Sequence, residues 1–169
     1  MKNMLFAILT GLLLAISWPT YGFPLFLFFG FVPLLVAEHN IRYNKYSKTN
    51  LFGLAYTAFF VWNIIATWWI YNSSPIGMWI AVLVNSLLMT IVFLVYHIVA
   101  KRATLAIASL FLVCFWMAFE YFHLQWQLSW PWLNLGNGFA NFTSWIQWYE
   151  YTGTFGGTLW VWVVNIGVF

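Results

Sequence analysis

Apolar residues run along this chain in long unbroken blocks, and polar residues collect between them. Six blocks stand out: Met4 to Ser17, Pro24 to Ala37, Leu51 to Tyr71, Ile76 to Ala100, Ala103 to Phe122, and a last one from Phe155 to Phe169. A helix needs about 20 residues to cross the hydrocarbon core of a bilayer, and these blocks reach or approach that length. Membrane-barrel strands alternate apolar and polar over about 10 residues, whereas these runs stay apolar for longer. The pattern therefore predicts an all-α, polytopic transmembrane helical bundle of about six spans. The spans are 4–17, 24–37, 51–71, 76–100, 103–122 and 155–169, all in one membrane domain over residues 1–169. No charged residue closes the sixth block, so that span is expected to be incomplete within these residues.

The first two blocks are short. With the Trp18-Pro19 break and Gly22 between them, they read as a helical hairpin, because proline disfavours helix at the residue before it. A cleaved signal peptide over residues 1–17 is the competing reading. It has one lysine only and no small-x-small cleavage site to support it.

Composition agrees with the pattern. The 169 residues are 64% apolar, 24% aromatic and 5% charged, and the mean hydropathy is +0.84. A soluble domain carries about 25% charged residues, so soluble globular, disordered and collagenous classes are excluded. The six basic residues are Lys2, then Arg42, Lys45 and Lys48, then Lys101 and Arg102. They form no basic face with interleaved stacking residues, so no nucleic-acid partner is expected. They fall on alternate connections, so one side of the membrane collects all of them. The positive-inside rule makes that side the cytoplasm and puts the N-terminus there.

The connections at 18–23, 72–75 and 123–154 then face outward. The last is the longest and carries Trp126, Trp130, Trp132, Trp145, Trp148, Tyr149 and Tyr151. Indole and phenol rings favour the headgroup level, so this Trp-rich loop is expected to lie along the outer membrane–water boundary. On this ground alone an aromatic belt is the favoured reading over a lipid-contact site.

Few residues carry candidate chemistry. Glu38 and Glu150 sit near span ends or in the loop, where solvation is cheap. Glu120 lies at the outer end of the fifth span, four residues after Trp116, where a charge is a functional candidate by default. Its expected partners are His123 and donors of the Trp-rich loop; a structural, hydrogen-bonded acid is the equal alternative. His39, His97 and His123 lie at different membrane levels, so no metal site is expected. Cys114 reads as a small, inert core residue, and a single cysteine excludes an intrachain disulfide.

Asn63, Thr67, Asn85, Ser86 and Thr90 are placed to hydrogen-bond between helices. Ala7, Gly11 and Ala15, and likewise Gly53 and Thr57, form packing faces. Asn72-Ser73-Ser74 and Asn141-Phe142-Thr143 match a glycosylation pattern that is frequent by chance. The glycines at 136–138 and 153–157 lack the lysine and context of a phosphate loop, and no cofactor is expected.

Trp116-Met117-Ala118-Phe119-Glu120, followed by Leu128-Ser129-Trp130-Pro131-Trp132-Leu133-Asn134-Leu135-Gly136, resembles apolipoprotein N-acyltransferase. That family has a Trp-x-x-x-Glu helix end, a Phe/Trp-Pro-Trp-x-x-x-Gly loop and then a glycine-rich tract, matched here by Gly153-Thr154-Phe155-Gly156-Gly157. Leu14 through Pro19, Phe31-Val32-Pro33-Leu34-Leu35, and Phe52-Gly53 leading to Asn63 and Trp69 resemble its opening spans. The resemblance covers essentially the whole chain.

It implies a multi-pass enzyme of the bacterial inner membrane with a periplasmic nitrilase-like domain and a Glu-Lys-Cys triad. The cysteine takes an acyl chain from a phospholipid as a thioester. It then passes the chain to the amine of the diacylglyceryl-cysteine of a bacterial apolipoprotein. That domain is absent from residues 1–169, so no catalytic residue is transferred and this segment alone is expected to be inactive. Family members often carry Arg where His123 stands.

For the membrane part the resemblance implies lipid handling. Trp130 and Trp132 around Pro131, with Trp126, are the candidates for contact with phospholipid or membrane lipid, and Glu120 the candidate for holding the loop. The competing class is a non-enzymatic membrane module, such as a transporter subunit or assembly scaffold. Such transporters show internal repeats and broken midplane helices; no repeat is visible here, and Pro and Gly cluster at span ends.

Overall fold

The computed structural model describes residues 2–19, 22–43 and 50–169. Lys45 and Lys48, part of the charge argument above, lie outside the described residues. The helices are α1 (Lys2–Ile16), α2 (Leu27–Gly30), α3 (Val32–Tyr43), α4 (Leu51–Thr67), α5 (Pro75–Ala100), α6 (Leu105–Gln125) and α7 (Tyr149–Val168), with no strand among the described residues. Four helical stretches are long and apolar enough to cross a membrane: Pro24–Tyr43, Leu51–Asn72, Pro75–Ala100 and Leu105–Gln125. The expectation of an all-α membrane bundle holds. The second block is longer than its apolar run suggests, continuing to Tyr43. α7 begins at Tyr149, ahead of Phe155, and is interrupted at Gly153, whose φ of 61° is one that glycine adopts without strain.

Local chemistry starts the long helices. Asn50, Ser74 and Thr104 accept the N–H groups of Phe52, Gly77 and Ile107, at 3.0, 3.1 and 3.4 Å, and Pro75 occupies the first turn of α5.

The bundle buries polar side chains within its hydrophobic core and turns apolar ones outward. On α5, Asn85, Ser86 and Thr90 are buried while Ile80, Leu83, Leu87 and Ile91 are exposed. Such a surface suits hydrocarbon and not water, so this is a membrane protein.

Small residues set the closest helix approach. Ala7 and Ala15 are buried, and a Cβ on Gly11 would lie 2.6 Å from the Ala58 carbonyl, so α1 rides against the backbone of α4. The second expected packing face is not one. Gly53 has open space beside it, and the Thr57 hydroxyl donates to the Gly53 carbonyl one turn back. Of the five interior polar residues, only Asn63 and Asn85 join helices, through a 2.7 Å bond from Asn85 Nδ2 to Asn63 Oδ1. Thr67, Ser86 and Thr90 instead donate to carbonyls four residues earlier in their own helices, the cheapest partner for a short hydroxyl side chain.

The Pro24–Tyr43 stretch is broken near its middle, where Pro33 supplies no N–H. The carboxamide of Asn165 fills the gap. Its Oδ1 accepts the Phe31 N–H at 2.9 Å and its Nδ2 donates to the Leu27 carbonyl at 2.8 Å. Thr10 Oγ1 accepts the Leu34 N–H at 3.0 Å. Neighbouring helices thus complete the backbone pairing that lipid cannot. Around this point Phe31 packs on Trp62, Trp116 and Trp162, with the Trp162 ring stacked at 4.3 Å.

Two single-residue expectations are overturned. Glu38 is not solvated; it is fully buried, 3.1 Å from Arg42 Nε and 2.6 Å from His97 Nδ1. Arg42 also donates to the Ala100 carbonyl at 2.9 Å, so the C-terminal ends of α3 and α5 share one end of the bundle. Cys114 is exposed on α6 rather than buried, because it points away from the bundle while Leu112, Val113 and Trp116 point into it.

Candidate functional site

The opposite end of the bundle is built on one face of α6. Trp116, Glu120 and His123 recur at helical spacing and are all buried. Glu120 is the hub. Its Oε1 accepts the Trp116 indole N–H at 3.1 Å and the backbone N–H of Leu135 at 2.9 Å; its Oε2 accepts the Thr158 hydroxyl at 2.6 Å. One carboxylate thus ties α6, the 126–148 connection and α7 together.

The connection repays this contact. Gly136 N–H donates to Thr158 Oγ1 at 3.2 Å and to Asn134 Oδ1 at 3.0 Å. The Tyr149 hydroxyl donates to the Gly136 carbonyl at 2.8 Å. Tyr149 lies ahead of Gly153, where burial first and the Glu120 charge second push its phenol above its ordinary pKa, which keeps it a donor. A Cβ at Gly136 would overlap the Thr154 carbonyl, so only glycine fits. Asn141 Nδ2 donates to the Pro19 carbonyl, pinning the connection to the opening hairpin.

The middle of the connection therefore does not lie flat on the surface, contrary to what the sequence led us to expect. Residues 133–136 and 138–139 are buried in the bundle. A buried loop must satisfy its backbone, and Glu120, Thr158 and Tyr149 do this here.

His123 is not the partner of Glu120. Its ring packs against Phe119 at 4.5 Å and Trp126 at 5.4 Å, and neither ring nitrogen has a hydrogen-bond partner. The candidate tryptophans separate. Trp126 and Trp130 line an apolar groove of about 340 Å³ between α5 and the 126–130 segment, with His123 at its side. Trp132 points away from it, half exposed, its edge on Trp69 at 5.2 Å. Asn85, Asn134, Tyr149 and Thr158 were not singled out as site residues from the sequence. A lone Thr in an apolar run was the available signal for Thr158; nothing local marks Asn134 or Tyr149. No cluster of His, Cys, Asp and Glu suited to a metal occurs among the described residues.

These features define a class: a helical membrane domain whose aromatic connection is latched into the bundle by one buried carboxylate, beside a groove that opens on the apolar surface. Residues 10–167 match the family described as apolipoprotein N-acyltransferase N-terminal domain, and the chain belongs to that family. The apolipoprotein N-acyltransferase of Chlorobaculum tepidum is 30% identical over 169 residues. The match takes in 98% of this chain and 31% of that relative's length. No solved structure matches the chain.

Proposed function

We propose that residues 1–169 are the membrane domain of an enzyme that N-acylates bacterial lipoproteins in the inner membrane. The reading has six spans, a cytoplasmic N-terminus and the latched aromatic connection outside. The acyl-transferring cysteine, with its Glu-Lys partners, belongs to a nitrilase-like domain outside these residues. Its thiolate attacks an ester carbonyl of a phospholipid, forming a thioester and releasing the lysophospholipid alcohol. The amine of a diacylglyceryl-cysteine then attacks the thioester, forming an amide and releasing the thiolate.

In this reading the membrane domain brings two amphiphiles to that cysteine. Trp126 and Trp130 contact the acyl chain, Trp132 with Trp69 forms the rim, and Glu120 holds the whole connection at depth. The observation that carries it is the lipid-open groove walled by the latched connection, in a chain of this family. The test is thioester formation from phospholipid by the full-length enzyme. Trp130→Ala is expected to slow it or raise KM by about tenfold, and Trp132→Ala less. Unchanged rate and lipid affinity in both variants would refute the lipid-contact role. Reporter fusions placing Trp132 on the same side as Lys101 would refute the topology.

A further inference from the structure

The groove is apolar along its length but not at its closed side. Its α5 wall is one helical face, Gly77, Ile80, Ala81, Val84, Asn85 and Leu88, running about 16 Å along the axis. Ile80 and Val84 are exposed on the lipid-facing surface, so hydrocarbon has direct access. At 340 Å³ it falls within the usual range of small-ligand sites. Beside it lies a void of about 10 Å³ that shares Asn85, His123 and Trp130 and adds Asn134 and the already hydrogen-bonded Glu120, at the size limit for one water.

Polar atoms without partners concentrate around these two spaces. They are both ring nitrogens of His123, the indole N–H groups of Trp126 and Trp130, Asn134 Nδ2 and Asn85 Oδ1. His123, Asn85 and Asn134 are each 4% exposed. A buried polar atom left unpaired costs about 1–3 kcal/mol, and so many on side chains that border one place call for a ligand. A neutral imidazole offers one N–H and one lone pair. The set then holds four donors and two acceptors. It seeks a molecule with acceptor oxygens at one end and an apolar tail long enough for the α5 face.

We infer that this groove seats a bilayer phospholipid by its ester region, with one acyl chain along α5 and an ester carbonyl received by His123 and the neighbouring indoles. This rests on the lipid-handling reading above and gives it a selector. His123 is a specificity-determining residue that distinguishes ester-linked from ether-linked chains, since an ether keeps the tail but removes the carbonyl acceptor.

The experiment uses the full-length protein and two probes, dipalmitoyl phosphatidylcholine and its dihexadecyl ether analogue, with binding read by native mass spectrometry. The wild type is expected to hold the ester lipid about tenfold more tightly, equivalent to ~1.4 kcal/mol. His123→Phe, which keeps the aromatic packing, is expected to abolish the preference while the ether lipid still binds. Ala81→Trp, which fills the groove, is expected to lower binding of both. If His123→Phe fails to fold, Trp126→Phe removes one donor from the same wall and is expected to reduce the preference. Equal binding of ester and ether lipids by the wild type would overturn the inference, as would an undiminished preference in His123→Phe. A parallel acyl-transfer assay separates the two claims. Transfer without ester preference sinks the selector alone; ester preference without transfer sinks the enzymatic reading alone.

Discussion

Glu120→Gln tests the latch with the smallest change of shape. Glutamine keeps one oxygen for the Trp116 and Leu135 donors, 3.1 and 2.9 Å away. Its amide NH2 then faces the Thr158 hydroxyl, which sits 2.6 Å from Oε2 and itself receives the Gly136 N–H. Thr158 keeps only the longer 3.4 Å bond to Asn134 Oδ1 for its own proton, and the two remaining bonds lose their ionic character. Hydrogen bonds to charged groups contribute about 1.5–3 kcal/mol, roughly twice neutral ones, so the net cost is about 2 kcal/mol. That loss falls on the seating of residues 133–139 and not on the bundle. Hydrogen exchange of a peptide covering 131–139 in the full-length protein is expected to quicken by about thirtyfold, with the interior of α5 unaffected. Glu120→Ala strands all three donors and is expected to exceed this. Exchange within about twofold of wild type in Glu120→Gln would show that the connection is held by packing alone and refute the latch.

Asn165→Leu removes the amide that completes the broken Pro24–Tyr43 stretch. It strands the Phe31 N–H and Leu27 carbonyl, and a stability loss of about 2–4 kcal/mol is expected in unfolding titrations. Gly136→Ala drives a Cβ into the Thr154 backbone; thermal melts are expected to fall by several degrees, with faster proteolysis between 126 and 148. Glu38→Ala leaves the Arg42 guanidinium buried without its carboxylate, and a loss of about 3–5 kcal/mol is expected in the same titrations, with Glu38→Gln intermediate.

What was legible in the chain beforehand follows from solvent and spacing. Unbroken apolar blocks leave helix as the only way to satisfy backbone groups in lipid, so the helical bundle could be read directly. Glu120 could be picked out because a carboxylate at a span end is costly unless something answers it. Glu38 was misread by the same rule, because its partner His97 is 59 residues away and sequence distance hides it. Cys114 was misread because hydropathy cannot say which face of an apolar helix meets lipid and which meets protein. Phe111, Cys114 and Phe115 are no less apolar than Leu112 and Val113, which are buried.

The residue types alone determined the solvent and the helical class, since each follows from the transfer energy of side chains taken singly. Only the assembled bundle decided that Glu120 would receive a loop amide and a threonine from α7. The same holds for Asn165, which mends another helix, and for Trp130 and Trp132, which turn to different surfaces. Those outcomes depend on pairs of groups brought together from distant parts of the chain, and no single residue's preference contains them.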